Sequence, residues 1–392
     1  MNVPKLRFKE FNDEWISQKL CQLVEFSKGN ILAKADLDET GNYPCILYGQ
    51  LYTKYNEVIR EVYSKTNRNE NKIPKSRKGD VLIPSSGETP VDISTSSCIL
   101  IDNVLLGGDI NILRPISCDG RFLSYTINNN KKTEIAKVAQ GHSVVHLYND
   151  NLSQVSINIP SVQEQKRISD TLELLDKKIE LQSKKIEDLK LFKLKSFDVM
   201  IGKINEYQKI KNIGKLKNGY AFKNNLYNDK GLYNILTISN VTGNLYINSN
   251  FKNKYSFIPK DIQNHQILKE KDILISMTGN VGRVSFNKGK NNLLNQRVGV
   301  LELNEAINRD YIFYMLSNKN FENKMIDCGQ GAAQLNITKA DIENYKIPYP
   351  NKQKQLKITK ILNCLTKKIQ LEENKLNKLQ ELKKGLMQNM FV

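Results

Sequence analysis

The sequence predicts an α+β chain: two mixed α/β globular domains in tandem pseudo-twofold repeat, joined by two long antiparallel helices that form a coiled-coil spacer. Three observations predict it. Residues 160–179 read "PSVQEQKRISDTLELLDKKI" and residues 350–369 read "PNKQKQLKITKILNCLTKKI", identical at nine of twenty positions without a gap. The stretches around them hold short β-like runs such as "DVLIPSS", "INILRP", "DILISMTG" and "RVGVLEL", set off by Gly/Asn turns. Each copy then closes on an apolar seam of heptad spacing.

The repeat extends well beyond the helix entrance. "KLCQLVEFSKG" (19–29) stands over "KIKNIGKLKNG" (209–219) at an offset of 190, and Gln140-Gly141 over Gln330-Gly331 at the same offset. "GDVLIPSSG" (79–87) matches "KDILISMTG" (271–279) at 192. A matching frame with unlike middles is the pattern of a duplicated scaffold that carries two different readers. One middle also holds a stretch of helical period, "RDYIFYMLSNKNFENKMI" (309–326).

In the first seam Ile168, Leu172, Leu175, Ile179, Gln182, Ile186 and Leu189 recur at steps of four and three. In the second, Ile358, Leu362, Leu365, Ile369, Glu372, Leu376 and Leu379 do the same. That is the 3.5-residue period of helices that wind around each other. Pro160 and Pro350 stand where a helix tolerates proline, just ahead of its first turn. A helix from 165 to about 200 would run ~54 Å. No second apolar face is expected, so each helix is expected to pair with the other inside the chain; an intermolecular coiled coil is the alternative. Gln182 and Glu372 fall at one seam position and would fix register. The expected segments are a domain over 1–158, a helix over 159–203, a second domain over 204–346 and a second helix over 347–392.

Composition narrows the class. No apolar run approaches the ~20 residues of a membrane span. The opening "MNVPKLRFKEFNDEW" lacks a signal-peptide core, and six cysteines show no CxxC pair, so a cytoplasmic protein with reduced thiols is expected. The net charge is +18, and it is lopsided: residues 1–190 carry 26 Lys/Arg against 25 Asp/Glu, residues 191–392 carry 33 against 16. Such a field favours a polyanion such as nucleic acid, with a plain solvated surface as the alternative.

The candidate contact residues follow from that charge. The loop "KTNRNENKIPKSRKG" (65–79) concentrates six basic residues, with Lys72, Lys75, Arg77 and Lys78 its best phosphate contacts. Gln140, Gly141, Gln330 and Gly331 form a loop held in both copies, where glycine permits close approach to a backbone. In the second copy Asn280, Arg283, Gln296 and Arg297 flank expected strands. Arginine can read guanine through two hydrogen bonds, and Asn or Gln can read adenine. Ser85 and Ser86 are the weaker equivalents in copy one. His142 and His146 have a spacing that suggests a metal, but Ala332 and Asn336 stand at the aligned positions and no further ligand completes a set.

With the repeat, the seams and the unlike middles together, the chain resembles the specificity subunit of type I restriction–modification systems over essentially its full length. The resemblance rests on "PKLRFKEFNDEWISQKLCQLVEFSKG", "GDVLIPSSG" with "KDILISMTG", the "GQGAAQLNI" loop and the doubled proline-led helix entrance. Copy two departs from the usual pattern with Thr366 where copy one has Asp176. The resemblance implies two target-recognition domains, each reading half of a split double-stranded DNA target. It also implies helices that act as ruler and as dock for two modification (methyltransferase) subunits, with restriction subunits joining that core. Its ten prolines are never adjacent, so no "NPPY" loop exists, and no Pro-Asp pair or GxxxxGK[ST] loop is present. The expectation is a non-catalytic chain whose partners bind S-adenosylmethionine, ATP and Mg²⁺. The competing reading is a coiled-coil adaptor with no DNA role.

Overall fold

In the computed structural model, which describes residues 2–68, 72–141, 144–331 and 334–392, two buried glutamines account for the repeated helix entrance. Gln165 Nε2 donates to the Pro160 carbonyl at 2.9 Å, and Gln355 Nε2 donates to the Pro350 carbonyl at 2.8 Å. A proline carbonyl ahead of a helix has no ladder partner, and a glutamine five residues on supplies one inside the protein. The helices that start there span Val162–Ile201 and Lys352–Asn389. Forty residues make the first ~60 Å long.

The chain divides into two units, one of Met1–Lys185 with Glu372–Val392, the other of Ile186–Leu371. Each therefore contains the opening of one long helix and the close of the other.

In the first unit a five-stranded sheet runs in the order Val24–Lys28, Ile110–Pro115, Val81–Pro84, Ser97–Ile99, Val58–Ile59. Its apolar residues pack under the helix Gly120–Thr126, with Trp15, Phe122 and Leu123 in one core. Ile168 and Leu172 of the central helix enter that core, as do Met387, Met390 and Phe391 of the C-terminal helix and tail. In the second unit four strands run in the order Gly214–Asn218, Val298–Leu303, Ile273–Ser276, Val284–Phe286. Ile358 and Leu362 enter its core, and Phe197, Met200 and Ile201 pack against it. These sets are the same positions of the repeat: 387, 390 and 391 lie 190 beyond 197, 200 and 201. Register repeats as closely, for Gln18 pairs with Ile157 and Gln208 with Ile347.

The seam residues are buried or half-buried along both helices, and some of them also serve the globular cores. Leu175, Ile186 and Ile369 are buried; Ile179, Leu189, Leu365, Leu376 and Leu379 are half-buried. The first two seam residues of each helix enter a globular core that also takes in closing residues of the other long helix. A helix that leaves a domain needs its first turns anchored there, and the same face does both jobs. Within the first unit the helix segments run antiparallel, since Gln182 meets Glu372 and Lys383 meets Asp176. Within the second, Lys354 Nζ reaches the Lys203 carbonyl, just past the end of the central helix, at 3.4 Å.

The expectation of a single apolar face fails. Leu174, Leu181, Phe192 and Val199 are all exposed. They are spaced by seven, eleven and seven residues, which returns each to the same side of the helix. Leu371 and Leu382, exposed on the other helix, are the repeat equivalents of Leu181 and Phe192. The heptad count matched the seam alone and passed over this outer row. The stretch 309–326 also differs from one helix: it breaks into Arg309–Leu316 and Lys319–Cys328, because Asn318 caps the second by accepting from the Phe321 N–H.

Candidate nucleic-acid interface

At the carboxyl end of one central strand in each unit, three loops are bound to one another by backbone hydrogen bonds. In the first unit the strand Val81–Pro84 runs on to Ser85, whose N–H donates to the Asp109 carbonyl at 2.8 Å and whose carbonyl accepts from Leu147 N–H at 2.9 Å. In the second unit the strand Ile273–Ser276 runs on to Met277. Its N–H donates to the Arg297 carbonyl at 3.0 Å, and its carbonyl accepts from Ile337 N–H at 3.0 Å. The edge thus joins the strand end, the turn before the long strand (Ile110–Pro115 or Val298–Leu303) and the Gln-Gly loop.

The Gln-Gly loop is a tight hairpin in both. Gln140 exchanges two backbone hydrogen bonds with His146, and Gln330 exchanges two with Asn336. Gly141 and Gly331 have φ of 120° and 117°, a region that side-chain-bearing residues avoid. A Cβ on Gly141 would lie 2.2 Å from the Val144 carbonyl oxygen, and one on Gly331 2.5 Å from that of Gln334. The glycines are thus fixed by the turn itself, while Gln140 and Gln330 are exposed beside them.

A cleft opens next to this edge in each unit. The first, of about 710 Å³, is lined by Leu32, Leu47, Tyr48, Tyr52, Gly108 and Asp109 among others. The second, of about 520 Å³, is lined by Phe222, Asn224, Tyr227, Thr237, Gln296 and Arg297 among others.

Residues 12–191 and 204–381 both match the family model described as the type I restriction modification DNA specificity domain. The chain belongs to this family. Among specificity subunits it is 24% identical to the putative type I restriction enzyme MjaX specificity subunit of Methanocaldococcus jannaschii, over 98% of this chain and 95% of that one. It is 23% identical to the MjaVIII specificity subunit of the same organism, over 97% and 94%. Its fold is similar to the type I system S subunit from M. genitalium, with a TM-score of 0.70 at 16% identity over 100% of this chain and 99% of that one. A second solved chain, from work on complex assembly and conformational transition of the type I system, gives a TM-score of 0.54 at 14% identity, over 96% and 97%.

The specificity-domain edge brings some of the expected contact residues together and separates others. Asn280, Gln296, Arg297 and Gln330 are exposed on loops of the same edge of the second unit, with Gly331 in its hairpin. Arg283 is half-buried, and its Nε lies 3.5 Å from Glu322, so this guanidinium is partly neutralised within the chain. Ser85 and Ser86 must be withdrawn as contact residues: both are only 4% exposed. Their backbone ties the hairpin to the sheet, which turns the side chains inward.

The basic loop is split. Lys72, Lys75, Arg77 and Lys78 are all exposed. Ile73 is buried with Leu32 and Leu47, and Lys75 pairs with Leu105, which holds the first half of the loop beside the cleft. Arg77 and Lys78, with backbone N–H groups held by Asp80 and Asp102, precede the amino end of the strand Val81–Pro84. They sit a strand length from the hairpin edge, about 13 Å for four residues. Glu70 and His142 lie outside the described residues; His146 pairs with Ser86 through the backbone and stacks on Tyr148. Among the described residues no group of three or more His, Cys, Asp or Glu is placed to hold a metal ion. No helix there is long and apolar enough to cross a membrane.

Sequence reasoning missed Asp109 and the two clefts. Asp109 has φ 59°, one of few non-glycine residues in the left-handed region, and it stands in "LGGD", which reads only as a turn.

Proposed function

We propose that the chain is the sequence-specific DNA-recognition subunit of a type I restriction–modification complex. In this reading residues 1–158 and 204–346 each read one half of a bipartite duplex target. The two long helices set the spacing between halves and dock two modification (methyltransferase) subunits, to which restriction subunits are added. The chain is non-catalytic: S-adenosylmethionine, ATP and Mg²⁺ are bound by the partners, and the complex works in the cytoplasm. Neither long helix is buried all round, and the outer rows with Leu174, Leu181, Leu371 and Leu382 give partner subunits apolar surface to cover.

One observation carries the reading: the same backbone hydrogen bonds join strand end, turn and Gln-Gly loop in both units, while the exposed residues around them, Asp109 and Arg297 among them, differ. A frame kept while its exposed residues diverge is a scaffold for two specificities. Methylome sequencing of cells carrying the gene and its modification partner tests it. Adenine methylation at one bipartite motif, lost on deletion of this gene, is expected. Unchanged methylation after deletion sinks the proposal and leaves the adaptor. In gel shifts on a duplex with that motif, log K should fall with log[salt] at roughly −0.9 per phosphate contact.

A further inference from the structure

The two clefts occupy the same place in the repeat. Leu32, Leu47 and Tyr48 of the first stand 190 residues before Phe222, Thr237 and Ile238 of the second. Asp109 stands 188 before Arg297, and the backbone bonds to Ser85 and Met277 show the two to be equivalent despite the shorter offset. The glycine that lets the neighbouring strand approach is also shared: a Cβ on Gly29 would lie 1.9 Å from the Gly107 carbonyl oxygen, and one on Gly219 2.2 Å from that of Asn295. At one rim position of one frame, therefore, the charge is reversed.

We propose that this position, Asp109 in the first unit and Arg297 in the second, is a base-reading site whose sign sets opposite preferences. Asp109 takes a base edge that offers an exocyclic amino group, cytosine N4 or adenine N6; Arg297 takes guanine O6 and N7. The inference rests on the DNA-reading function proposed above and says which side chains would carry it.

Physical chemistry separates the two roles. A carboxylate at a DNA-facing rim is repelled by phosphate, and the productive partner left to it is an amino donor in the major groove. Arginine is the matching reader of guanine's paired acceptors. Both side chains are exposed, and neither is in an ion pair or a side-chain hydrogen bond among the described residues. Asp109 is held in left-handed backbone by the Ser85 N–H on its carbonyl.

The test uses the chain co-expressed with its modification partner, comparing wild type with Asp109→Ala and Arg297→Ala. Methylome sequencing should show each variant relaxing one base position, by roughly 10-fold in discrimination. The two positions should lie in different halves of the motif, each with the other half unchanged. A second measurement guards against a folding or phosphate effect: on the wild-type target the salt slope of R297A should equal that of wild type, whereas loss of a phosphate contact lowers it by about 0.9. Variants that methylate the wild-type motif with unchanged stringency overturn the inference, as does a lowered salt slope with uniform weakening. A wild type that yields no bipartite motif overturns the proposed function instead.

Discussion

Gln182 Nε2 donates to Glu372 Oε2 at 2.8 Å and to the Glu372 carbonyl at 2.9 Å, and these two residues are the same position of the repeat, 190 apart. Lys383 meets Asp176 further along the same segments, so they run antiparallel and Gln182 and Glu372 mark the point where equivalent positions cross. Lys185 Nζ adds an ion pair to Glu372 at 2.8 Å. The Gln182 hydrogen bond, then Lys185 and Lys375, hold the Glu372 carboxyl down at about 2. Because that value is depressed, the stabilisation is fully present above the ordinary carboxylate range and is lost as pH falls towards about 2. Glu372→Gln should therefore melt lower than wild type at pH 7, with the gap closing between pH 4.5 and 2. Thermal melts across that range check it; a gap independent of pH would mean the carboxylate is not the cause.

Lys383 and Lys193 are another equivalent pair, and here the repeat is unequal. Lys383 Nζ sits 2.7 Å from Asp176 and 2.9 Å from Glu57. Burial alone would lower its pKa, but the two carboxylates hold it above the usual lysine value. Lys193 lies over the Tyr314 ring, and burial pushes its pKa down. Thr366 stands where Asp176 does in the first unit, 3.2 Å from the Tyr314 hydroxyl. Removing one partner of a buried ion pair leaves the other uncompensated. Lys383→Met should thus cost roughly 2 kcal/mol, Lys193→Met close to nothing, and Thr366→Asp should gain about 1 kcal/mol. Urea unfolding of the three variants decides, and equal costs at the two lysines would sink the account.

The helices and the duplication were legible because both are periodic: 3.5-residue spacing and a 190-residue offset survive in sequence without knowledge of contacts. The glutamine entrance was legible as a motif, but its cause, Gln165 and Gln355 holding proline carbonyls, is a three-dimensional bond. The outer row through Leu174 and Leu181 was hidden because its steps of seven and eleven interleave with lysines. Ser85 and Ser86 misled because polar residues after a strand read as a surface turn, whereas the hairpin folds over them. Asp109 and Arg297 could not be aligned from sequence, since the offset drifts from 192 to 188 between strand end and turn. Only their shared backbone partners reveal the correspondence.

Phe391, second from the C-terminus of the chain, is buried in the first unit's core, with its ring 5.5 Å from Phe122 and 6.5 Å from Trp15. Asn130 Nδ2 holds the Val392 carbonyl at 2.8 Å, and Leu6 N–H donates to the Asn389 carbonyl at 2.8 Å. A segment held by aromatic packing and hydrogen bonds is part of the core. Phe391→Ala should cost about 3 kcal/mol, the ordinary range for emptying a buried aromatic site. Hydrogen exchange can place the loss: protection should fall in residues 1–185 and hold in 186–371. Uniform loss in both would mean that the two units unfold as one.

Leu181 and Leu371 are equivalent positions, 69% and 53% exposed on the outer sides of their helices. An exposed leucine contributes little to the isolated chain, so Leu181→Glu with Leu371→Glu should leave its stability within about 0.5 kcal/mol of wild type. Under a partner subunit the same glutamates would be buried without a counter-charge, at a cost of several kcal/mol each. Native mass spectrometry of the co-expressed complex should then show loss of modification subunits from the doubly substituted chain, while the wild type retains two. The single variants distinguish a repeated dock from a shared one. If each helix row receives its own partner, L181E alone should leave one subunit bound. A doubly substituted chain that still carries both would show that assembly does not use the outer rows, and would move the dock to the globular units.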